Sequence, residues 1–435
     1  MISGDTIAAI ATAPGRGGVA VVRVSGREAF SVAERLTGKR EEGRGKSVRR
    51  IYHPSSLVPR PSSLIDECVL LAFKAPHSYT GEDVVEFQCH GGTVTPHRVL
   101  AACLAAGARL ARRGEFTERA FLNGRLDYAQ AESVLDLIDA KTARAADAAL
   151  EGLSGRRARE CRALYESALD LSTRLEHALD IDEGELPPDF LPSVNSQLST
   201  LNSQLRAVLS KAAEGRLLKS GALVVLAGPP NAGKSSLLNA LLDENRAIVS
   251  DIPGTTRDSI EAWIDLDGWP IRLVDTAGLR ETKDEVEGEG VKRAKELLLK
   301  ADVVVWLSPA CSLFPVPCSL LVHPKCDLGR GDGLNVSAKT GEGLDELKRA
   351  IVAKLEEKIA SSDDGDVPEG DVVAYQEALA LLNGGRETRD VRREEDLVLM
   401  ANPVRAVAER LGEAIGAAYS SDMLDNLFSR FCVGK

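Results

Sequence analysis

Short apolar runs rich in β-branched residues open the chain and predict strands. Two of them are VAVVRV at 19–24 and CVLLAF at 68–73, and a glycine-rich turn at 15–18 precedes the first. Residues 97–110 then show the apolar spacing of a helix. This pattern predicts a domain of mixed strands and helices over residues 1–119.

Apolar positions recur at helical spacing from about residue 121 to residue 218, and again over 374–427. An acidic stretch with three prolines at 182–192 predicts a break in the first region, and 193–209 predicts a polar helix after it. Neither region needs a complete core of its own, so we expect the two to pack together as one helical bundle.

Between the helical regions, residues 219–357 alternate strands and helices, starting with the strand ALVVLA at 222–227. Such alternation predicts a parallel sheet with helices on its faces. A polar, acidic segment at 361–370 predicts a linker. The expected domains are a mixed α/β domain at 1–119, a helical domain at 120–218 plus 366–435, and an inserted α/β domain at 219–360.

The 435 residues are 44% hydrophobic and 27% charged, which is typical of a folded globular chain and excludes a disordered one. No apolar run reaches the roughly 20 residues that span a bilayer, and no secretory signal is visible. The eight cysteines match no zinc-binding spacing. We therefore expect a cytoplasmic protein with reduced thiols and no membrane contact. Residues 1–120 hold 17 basic and 12 acidic side chains, an excess too small to establish nucleic-acid binding.

The sequence GPPNAGKS at 228–235 carries the clearest chemical signal. It matches the pattern GxxxxGK[ST] and stands between a predicted strand and a predicted helix, where phosphate-binding loops lie. The glycines let backbone N–H groups surround the phosphates, Lys234 reaches the β- and γ-phosphates, and the Ser235 hydroxyl holds Mg2+. The motif by itself predicts an NTPase.

Three later motifs narrow this prediction to guanine nucleotides. Thr255 and Thr256 lie in a polar loop where Thr256 would supply a second hydroxyl to Mg2+, and LVDTAG at 273–278 is a strand that ends in DxxG. SAK at 337–339 resembles the loop that supports a guanine base. In this order the motifs resemble the translation-factor-like GTPases. The residues expected to contact GTP are Asn231, Ala232, Gly233, Lys234, Ser235, Ser236, Ser250, Thr255, Thr256, Asp275, Thr276, Ala277, Gly278, Lys325, Asp327, Ser337, Ala338 and Lys339.

Two departures from that GTPase pattern are visible. The base-reading loop usually reads NKxD, and here Pro324 replaces the asparagine although Asp327 remains. Leu279 follows DxxG, where Ras-like proteins have a glutamine that positions water. We therefore expect either slow hydrolysis or a carboxylate from the following loop that orients water. The residues alone leave five candidates for that carboxylate: Glu281, Asp284, Glu285, Glu287 and Glu289.

Motifs outside the GTPase segment carry a closer resemblance. They are DTI at 5–7 with PGRGG at 14–18, YTGED at 79–83 with HGG at 90–92, GEFTERAFLNG at 114–124, GTTRD at 254–258 and FSRFCVGK at 428–435. Over nearly its full length the chain resembles the MnmE/TrmE family of tRNA uridine-5-carboxymethylaminomethyl modification GTPases. The resemblance implies an α+β multidomain fold with an N-terminal folate-binding-like domain, a helical bundle, and an inserted P-loop, Ras-like α/β domain.

By this resemblance the N-terminal domain forms a homodimer and binds 5,10-methylene- or 5-formyl-tetrahydrofolate. The implied folate ligands are Arg23, Glu86, Arg125 and Lys435. An FAD-dependent partner of the MnmG/GidA type would join the dimer in a heterotetramer, and the pair would modify C5 of the wobble uridine in tRNA. Cys432 is either a nucleophile toward the activated carbon or a small buried residue.

The family also implies how GTP is cleaved. K+ would bind beside the phosphates through Asn231, Ser250, Ile252 and Thr255, and would offset transition-state charge as an arginine does. Glu287 would orient the attacking water. Hydrolysis would then drive opening and closing of the dimer.

The residues leave two other functions open. A ribosome-assembly GTPase switch without folate chemistry would carry the same nucleotide motifs. A scaffold that binds nucleotide weakly would explain Pro324 and the short, proline-rich segment at 308–323.

Overall fold

The computed structural model describes residues 4–39, 45–52, 64–181, 186–244, 261–275, 296–307, 319–361, 371–384, 395–416, 424 and 427–435. The chain divides into two compact units. Unit 1 comprises Met1–Leu135, Leu153–Gly155 and Ala418–Lys435, and unit 2 comprises Asp136–Gly152 and Arg156–Ala417. The boundaries of the three expected domains stay a prediction.

Unit 1 contains a six-stranded sheet within its described residues. Its strands are β1 (Ile7–Ile10), β2 (Val19–Ser25), β3 (Gly45–Tyr52), β4 (Leu64–Phe73), β5 (Val84–His90) and β6 (Arg109–Leu110). The order is β3-β4-β5-β2-β1-β6, and neighbours are antiparallel except for the parallel pair of β1 and β6. The strands predicted at 19–24 and 68–73 are confirmed.

Four helices accompany or follow this sheet: α1 (Ala29–Thr37), α2 (Thr95–Ala105), α3 (Glu115–Leu122) and α4 (Tyr128–Asp139). The helix predicted at 97–110 is too long. Helix α2 ends at Ala105, Gly107 takes a φ of 109°, and the chain then enters β6. A glycine with positive φ ends a helix readily, so the apolar spacing beyond it belongs to a strand.

The remaining described helices are α5 (Ala143–Leu153), α6 (Arg156–Leu179), α7 (Phe190–Ser220), α8 (Lys234–Glu244), α9 (Leu344–Ser361), α10 (Asp371–Gly384) and α11 (Glu395–Gly416). Helix α7 is longer than the helix predicted at 193–209. The predicted break at 182–192 also extends too far, because Pro192 lies in the first turn of α7, where a missing N–H removes no helical hydrogen bond.

Helices α6 and α7 precede the second sheet in sequence and α10 and α11 follow it, yet the four share one apolar core. Leu164, Leu205, Leu379 and Leu411 are buried there, one from each helix. The structure thus confirms the packing of the two helical regions as one bundle for these four helices, whereas Leu135 of α4 and Ala145 of α5 are buried in other cores.

The second sheet, also six-stranded as far as the chain is described, belongs to unit 2. Its strands are β7 (Ala222–Ala227), β8 (Glu261–Leu266), β9 (Trp269–Asp275), β10 (Val303–Leu307), β11 (Ser319–Pro324) and β12 (Leu334–Val336), in the order β12-β11-β10-β7-β9-β8. Five strands are parallel, but β8 is antiparallel to β9, so the prediction of a parallel sheet is wrong at this edge. Asp267 and Gly268 have φ of 49° and 85°, and a two-residue turn with two positive φ angles joins antiparallel strands.

Within the described residues, none of the helices combines the length and the apolar character needed to cross a membrane. Six cysteines in that part of the chain are free thiols: Cys68, Cys89, Cys103, Cys161, Cys326 and Cys432.

Candidate functional site

The phosphate-binding motif lies between β7 and α8, as predicted. Strand β7 is buried along its whole length and fixes the start of the loop within the sheet. A side chain at Gly228 would collide with the carbonyl oxygen of Leu307, so only glycine fits at this position. Asn231 and Gly233 have φ of 62° and 95°. Turns that contain residues with positive φ form concavities in which successive backbone N–H groups bind anions.

Lys234 and Ser235 begin α8. The buried Lys234 donates from Nζ to the carbonyl oxygens of Gly228 and Pro229 over 3.1 and 3.0 Å. Ser235 donates from Oγ to Oδ2 of Asp275 over 2.6 Å. Strands β7 and β9 are parallel neighbours, so their carboxyl ends bring this hydroxyl and this carboxylate together. Two oxygen groups from separate motifs therefore meet, and such groups suit Mg2+.

A cavity of about 310 Å3 adjoins the phosphate loop. It is lined by Gly233, Ser236, Leu237, Leu307, Val322, Pro324, Lys325, Asp327, Leu328, Val336, Ser337, Ala338 and Lys339. The structure thus gathers the segments PKCD at 324–327 and SAK at 337–339 at one cavity with the end of the phosphate loop. Apolar walls with a few polar groups are typical of a small-molecule pocket.

Two hydrogen bonds hold the predicted base-reading loop, residues 324–327, in place. The fully buried Ser337 donates from Oγ to Oδ1 of Asp327 over 2.7 Å, which orients the carboxylate. Lys325 donates from Nζ to the carbonyl oxygen of Asn231 over 3.1 Å, which ties this loop to the phosphate loop. Lys325 has a φ of 59°, and strained backbone of this kind concentrates at functional sites.

Several predicted residues lie outside the described part of the chain. They are Ser250, Ile252, Thr255, Thr256, Thr276, Ala277, Gly278 and Glu287. Of the predicted K+ ligands, the structure therefore describes Asn231 alone. Ala232 is described, and its N–H donates to the carbonyl oxygen of Pro229 over 3.3 Å within the phosphate loop.

A second candidate site lies in unit 1, where Arg23 of β2 faces Glu86 of β5. Nε of Arg23 donates to Oε1 of Glu86 over 2.8 Å. The guanidinium carbon lies 5.2 Å from the ring centre of Tyr79 and 5.5 Å from that of Phe116. Nη1 of Arg23 is buried and has no hydrogen-bond partner. Such buried donors are rare, and this one fits a ligand that brings an acceptor.

Lys435 and Arg125 act on the same group of side chains. Burial lowers the pKa of Lys435, the charge of Arg23 lowers it further, and Glu86 opposes that shift. Burial raises the pKa of Tyr79, whereas Thr117, Arg23 and Arg125 lower it. Arg23 and Glu86 thus pair directly, while Lys435 interacts electrostatically with both of them and Arg125 interacts with Tyr79.

The last residues of the sequence pack against the motif at 114–124. The carbonyl oxygen of Lys435 accepts from the N–H of Phe116 over 3.2 Å, and Val433 pairs with Arg113 in an isolated bridge. Cys432 in this turn is exposed, so the alternative of a small buried residue is wrong.

A buried ion network in unit 1 was not predicted from the sequence. Arg119 donates from Nη2 to Oδ1 of Asp5 over 2.8 Å and from Nη1 to Oε2 of Glu82 over 3.1 Å. Glu115 accepts from Arg109 and Arg119. Burial raises the pKa of Glu115, but hydrogen bonds led by that from Arg109 lower it to about 2. The available signal was a pair of opposite charges four positions apart in this short helix, Glu115 and Arg119.

Comparison with known proteins shows to which family the whole chain is related. A family model described as the GTP-binding protein TrmE N-terminus matches residues 6–125, and one described as the MnmE helical domain matches residues 128–432. Curated proteins called tRNA modification GTPase MnmE match along nearly their full length. The protein from Symbiobacterium thermophilum is 42% identical, with 99% of each chain covered. Those from Nitrosomonas europaea and Neisseria gonorrhoeae are 40% and 41% identical, with 100% and 99% of each chain covered. The chain therefore belongs to the family of tRNA modification GTPases called MnmE.

Proposed function

We propose that this protein is the GTP-hydrolysing component of an enzyme that modifies C5 of the wobble uridine in tRNA. Family membership over the whole chain is the observation that carries the proposal, because relatives at 40–42% identity are named tRNA modification GTPase. The hydrogen bond of 2.6 Å between Ser235 and Asp275 supports it, since it brings together a hydroxyl and a carboxylate of the kind that suits Mg2+.

In the proposed nucleotide site, Lys234 neutralises phosphate charge and Asp327 pairs with the base. Ser235 and Thr256 would hold Mg2+, with Asp275 acting through water. The Ser235 hydroxyl at the start of α8 and the Asp275 carboxylate at the end of β9 fit such an ion.

We propose that hydrolysis depends on K+ held by Asn231, Ser250, Ile252 and Thr255, and that Glu287 orients the water. A cation beside the phosphates stabilises the charge of the transition state. GTP turnover should therefore be measured in matched K+ and Na+ buffers, and we expect a rate at least about tenfold higher in K+. Equal rates in the two buffers would contradict the role of K+ and leave the nucleotide site itself intact.

We propose that Arg23, Glu86, Arg125 and Lys435 bind a tetrahydrofolate derivative, either 5,10-methylene- or 5-formyl-tetrahydrofolate. The buried, unpartnered Nη1 of Arg23 and the excess of basic side chains fit a ligand with acceptors and carboxylates. When bound, the folate would supply a one-carbon unit. The exposed thiol of Cys432, in the same terminal turn as Lys435, is proposed as a nucleophile.

The protein is further proposed to act in the cytoplasm as a homodimer, in a heterotetramer with an FAD-dependent protein of the MnmG type. Co-purification of this chain with that partner, followed by mass measurement of the complex, tests the assembly. Recovery of each protein alone at micromolar concentration would contradict it.

The proposed activity is tested by deleting the gene and analysing the nucleosides of purified tRNA by mass spectrometry. We expect loss of the modified wobble uridine and its return when the wild-type gene is restored. A Lys234→Ala gene is the matched control and should fail to restore it. An unchanged nucleoside profile after deletion would overturn the proposal.

A further inference from the structure

The polar groups in the base-side cavity are unevenly distributed. Asp327 presents a carboxylate whose Oδ1 is oriented by the buried hydroxyl of Ser337 over 2.7 Å. Much of the rest of the lining is apolar, including Leu237, Leu307 and Val322. The cavity therefore offers one well-positioned pair of acceptor atoms to a bound base.

Two of the donors near this carboxylate are already engaged. The hydroxyl of Ser337 donates to Asp327, and the ammonium of Lys325 donates to the carbonyl oxygen of Asn231 over 3.1 Å. Each bond also holds a loop in position, so using either donor for the base would loosen the site.

Pro324 lines the same cavity at the end of β11. Its ring is a hydrocarbon and its nitrogen carries no hydrogen, so neither side chain nor backbone N–H can donate to a base from this position. An asparagine at the same place would bring an amide with two donors and one acceptor.

We propose that this site recognises a guanine base through hydrogen bonds from N1 and N2 of the base to Asp327. N7 of the base receives no hydrogen bond, because Pro324 has no donor to offer. This inference rests on the proposed binding of guanine nucleotides. Guanine presents two adjacent donors, N1–H and the N2 amino group, which match the two oxygens of a carboxylate. Adenine presents an acceptor at N1 and is repelled there.

The experiment is a set of equilibrium titrations of the full chain with GDP, 7-deaza-GDP, IDP and ADP in the same Mg2+ buffer. 7-Deaza-GDP replaces N7 by C–H and keeps the N1 and N2 donors, so we expect its Kd within about threefold of that for GDP. IDP lacks the N2 amino group and loses one hydrogen bond to a charged group, so its Kd should rise at least about tenfold. ADP should bind more weakly still.

Two variants sharpen the test. Pro324→Asn should bind 7-deaza-GDP at least about fivefold more weakly than GDP, because an amide can then donate to N7. Asp327→Asn should reverse the preference between GDP and XDP, because xanthine presents an acceptor at C2 and an amide can donate to it. The wild-type titrations decide the question even where a variant fails to fold.

The outcomes separate this inference from the proposed function. A wild-type chain that binds GDP but rejects 7-deaza-GDP by tenfold or more overturns the inference alone. Equal binding of GDP and IDP also overturns it. Failure to bind any guanine nucleotide, or equal affinity for GDP and ADP, contradicts the guanine nucleotide site itself.

Discussion

Lys325 shows how one side chain can determine the shape of a site. Its backbone is held at a φ of 59°, and its ammonium reaches Asn231, whose φ of 62° is equally unusual for a residue with a side chain. Single residues pay of order 1–3 kcal/mol for such conformations. We infer that the hydrogen bond between the loops holds both residues ready for nucleotide.

Replacing Lys325 with methionine should raise the Kd for GDP about tenfold, because the variant keeps the length of the side chain and loses the charge-assisted hydrogen bond. Isothermal titration measures the effect. The control is Arg330→Met in the same loop region, since Arg330 is 72% exposed in its ion pair with Glu342 and should contribute little. Equal affinities of the two variants for GDP would contradict a role of the hydrogen bond between Lys325 and Asn231 in nucleotide binding.

Glu115 illustrates a charge that stabilises the fold. Its side chain is 3% exposed and its pKa is lowered from 4.5 to about 2. A carboxyl group with a lowered pKa in the folded state contributes its stability fully above pH 4.5, and that contribution is lost as the pH falls toward 2.

Replacing Glu115 with glutamine should lower the free energy of unfolding by about 3 kcal/mol at pH 7, because it leaves Arg119 buried with fewer partners. The difference between wild type and variant should shrink as the pH falls from 4.5 toward 2. Urea denaturation at several pH values measures both effects. Glu118→Gln on the same helix is the control, since Glu118 is 25% exposed and should cost less than about 1 kcal/mol. A difference in the free energy of unfolding that does not change with pH would contradict this explanation.

At the scale of elements, the hairpin of β8 and β9 is fastened to helix α5. Oγ1 of Thr142 donates to the carbonyl oxygen of Gly268 over 2.7 Å, and the guanidinium of Arg144 lies 4.0 Å from the ring centre of Trp269. Strand β9 ends at Asp275, beside the phosphate loop. Through this hairpin, helix α5 contacts strand β9, which carries Asp275, a carboxylate of the predicted nucleotide site.

Replacing Gly268 with alanine should lower the stability of the chain by roughly 1–3 kcal/mol. Its φ is 85°, and an added Cβ would lie 3.0 Å from Cβ of Arg144. Gly329→Ala is the matched control, because no atom lies within 4 Å of a Cβ built there, and its effect should stay near 0.5 kcal/mol. Thermal unfolding with and without GDP compares the two. Similar midpoints for both variants would argue against a tight hairpin contact.

At the scale of the whole molecule, the two candidate sites lie in different units. The nucleotide groups belong to unit 2, and the cluster around Arg23 belongs to unit 1 together with the last residues of the sequence. Variants in one site should therefore leave the intrinsic affinity of the other nearly unchanged when a single ligand is present.

Replacing Lys435 with alanine should raise the Kd for 5-formyl-tetrahydrofolate about tenfold and leave the Kd for GDP unchanged, since a charged contact is lost in unit 1 alone. Fluorescence titration with each ligand measures both values. Arg430→Ala is the control, because Arg430 is exposed and only five positions earlier in the sequence. A similar loss in the control would show that general charge, not Lys435, attracts the ligand.

Much of the fold could be predicted, because strand and helix patterns depend on near neighbours. The run 222–227 became β7, and the phosphate loop formed directly after it. The errors occurred where one backbone angle decided the outcome: Gly107 ended α2 early, and the turn at Asp267 and Gly268 reversed the edge strand.

The sequence by itself determined the chemical groups of this protein: a phosphate-loop motif, the predicted base-reading residue Asp327, the SAK motif and a set of basic residues. Only the tertiary structure decided which of them meet. It joined Ser235 to Asp275, joined the N–H of Phe116 to the carbonyl oxygen of Lys435, and exposed Cys432. The reason is physical, since local patterns arise from residues a few positions apart, whereas contacts between distant residues depend on how whole strands and helices pack.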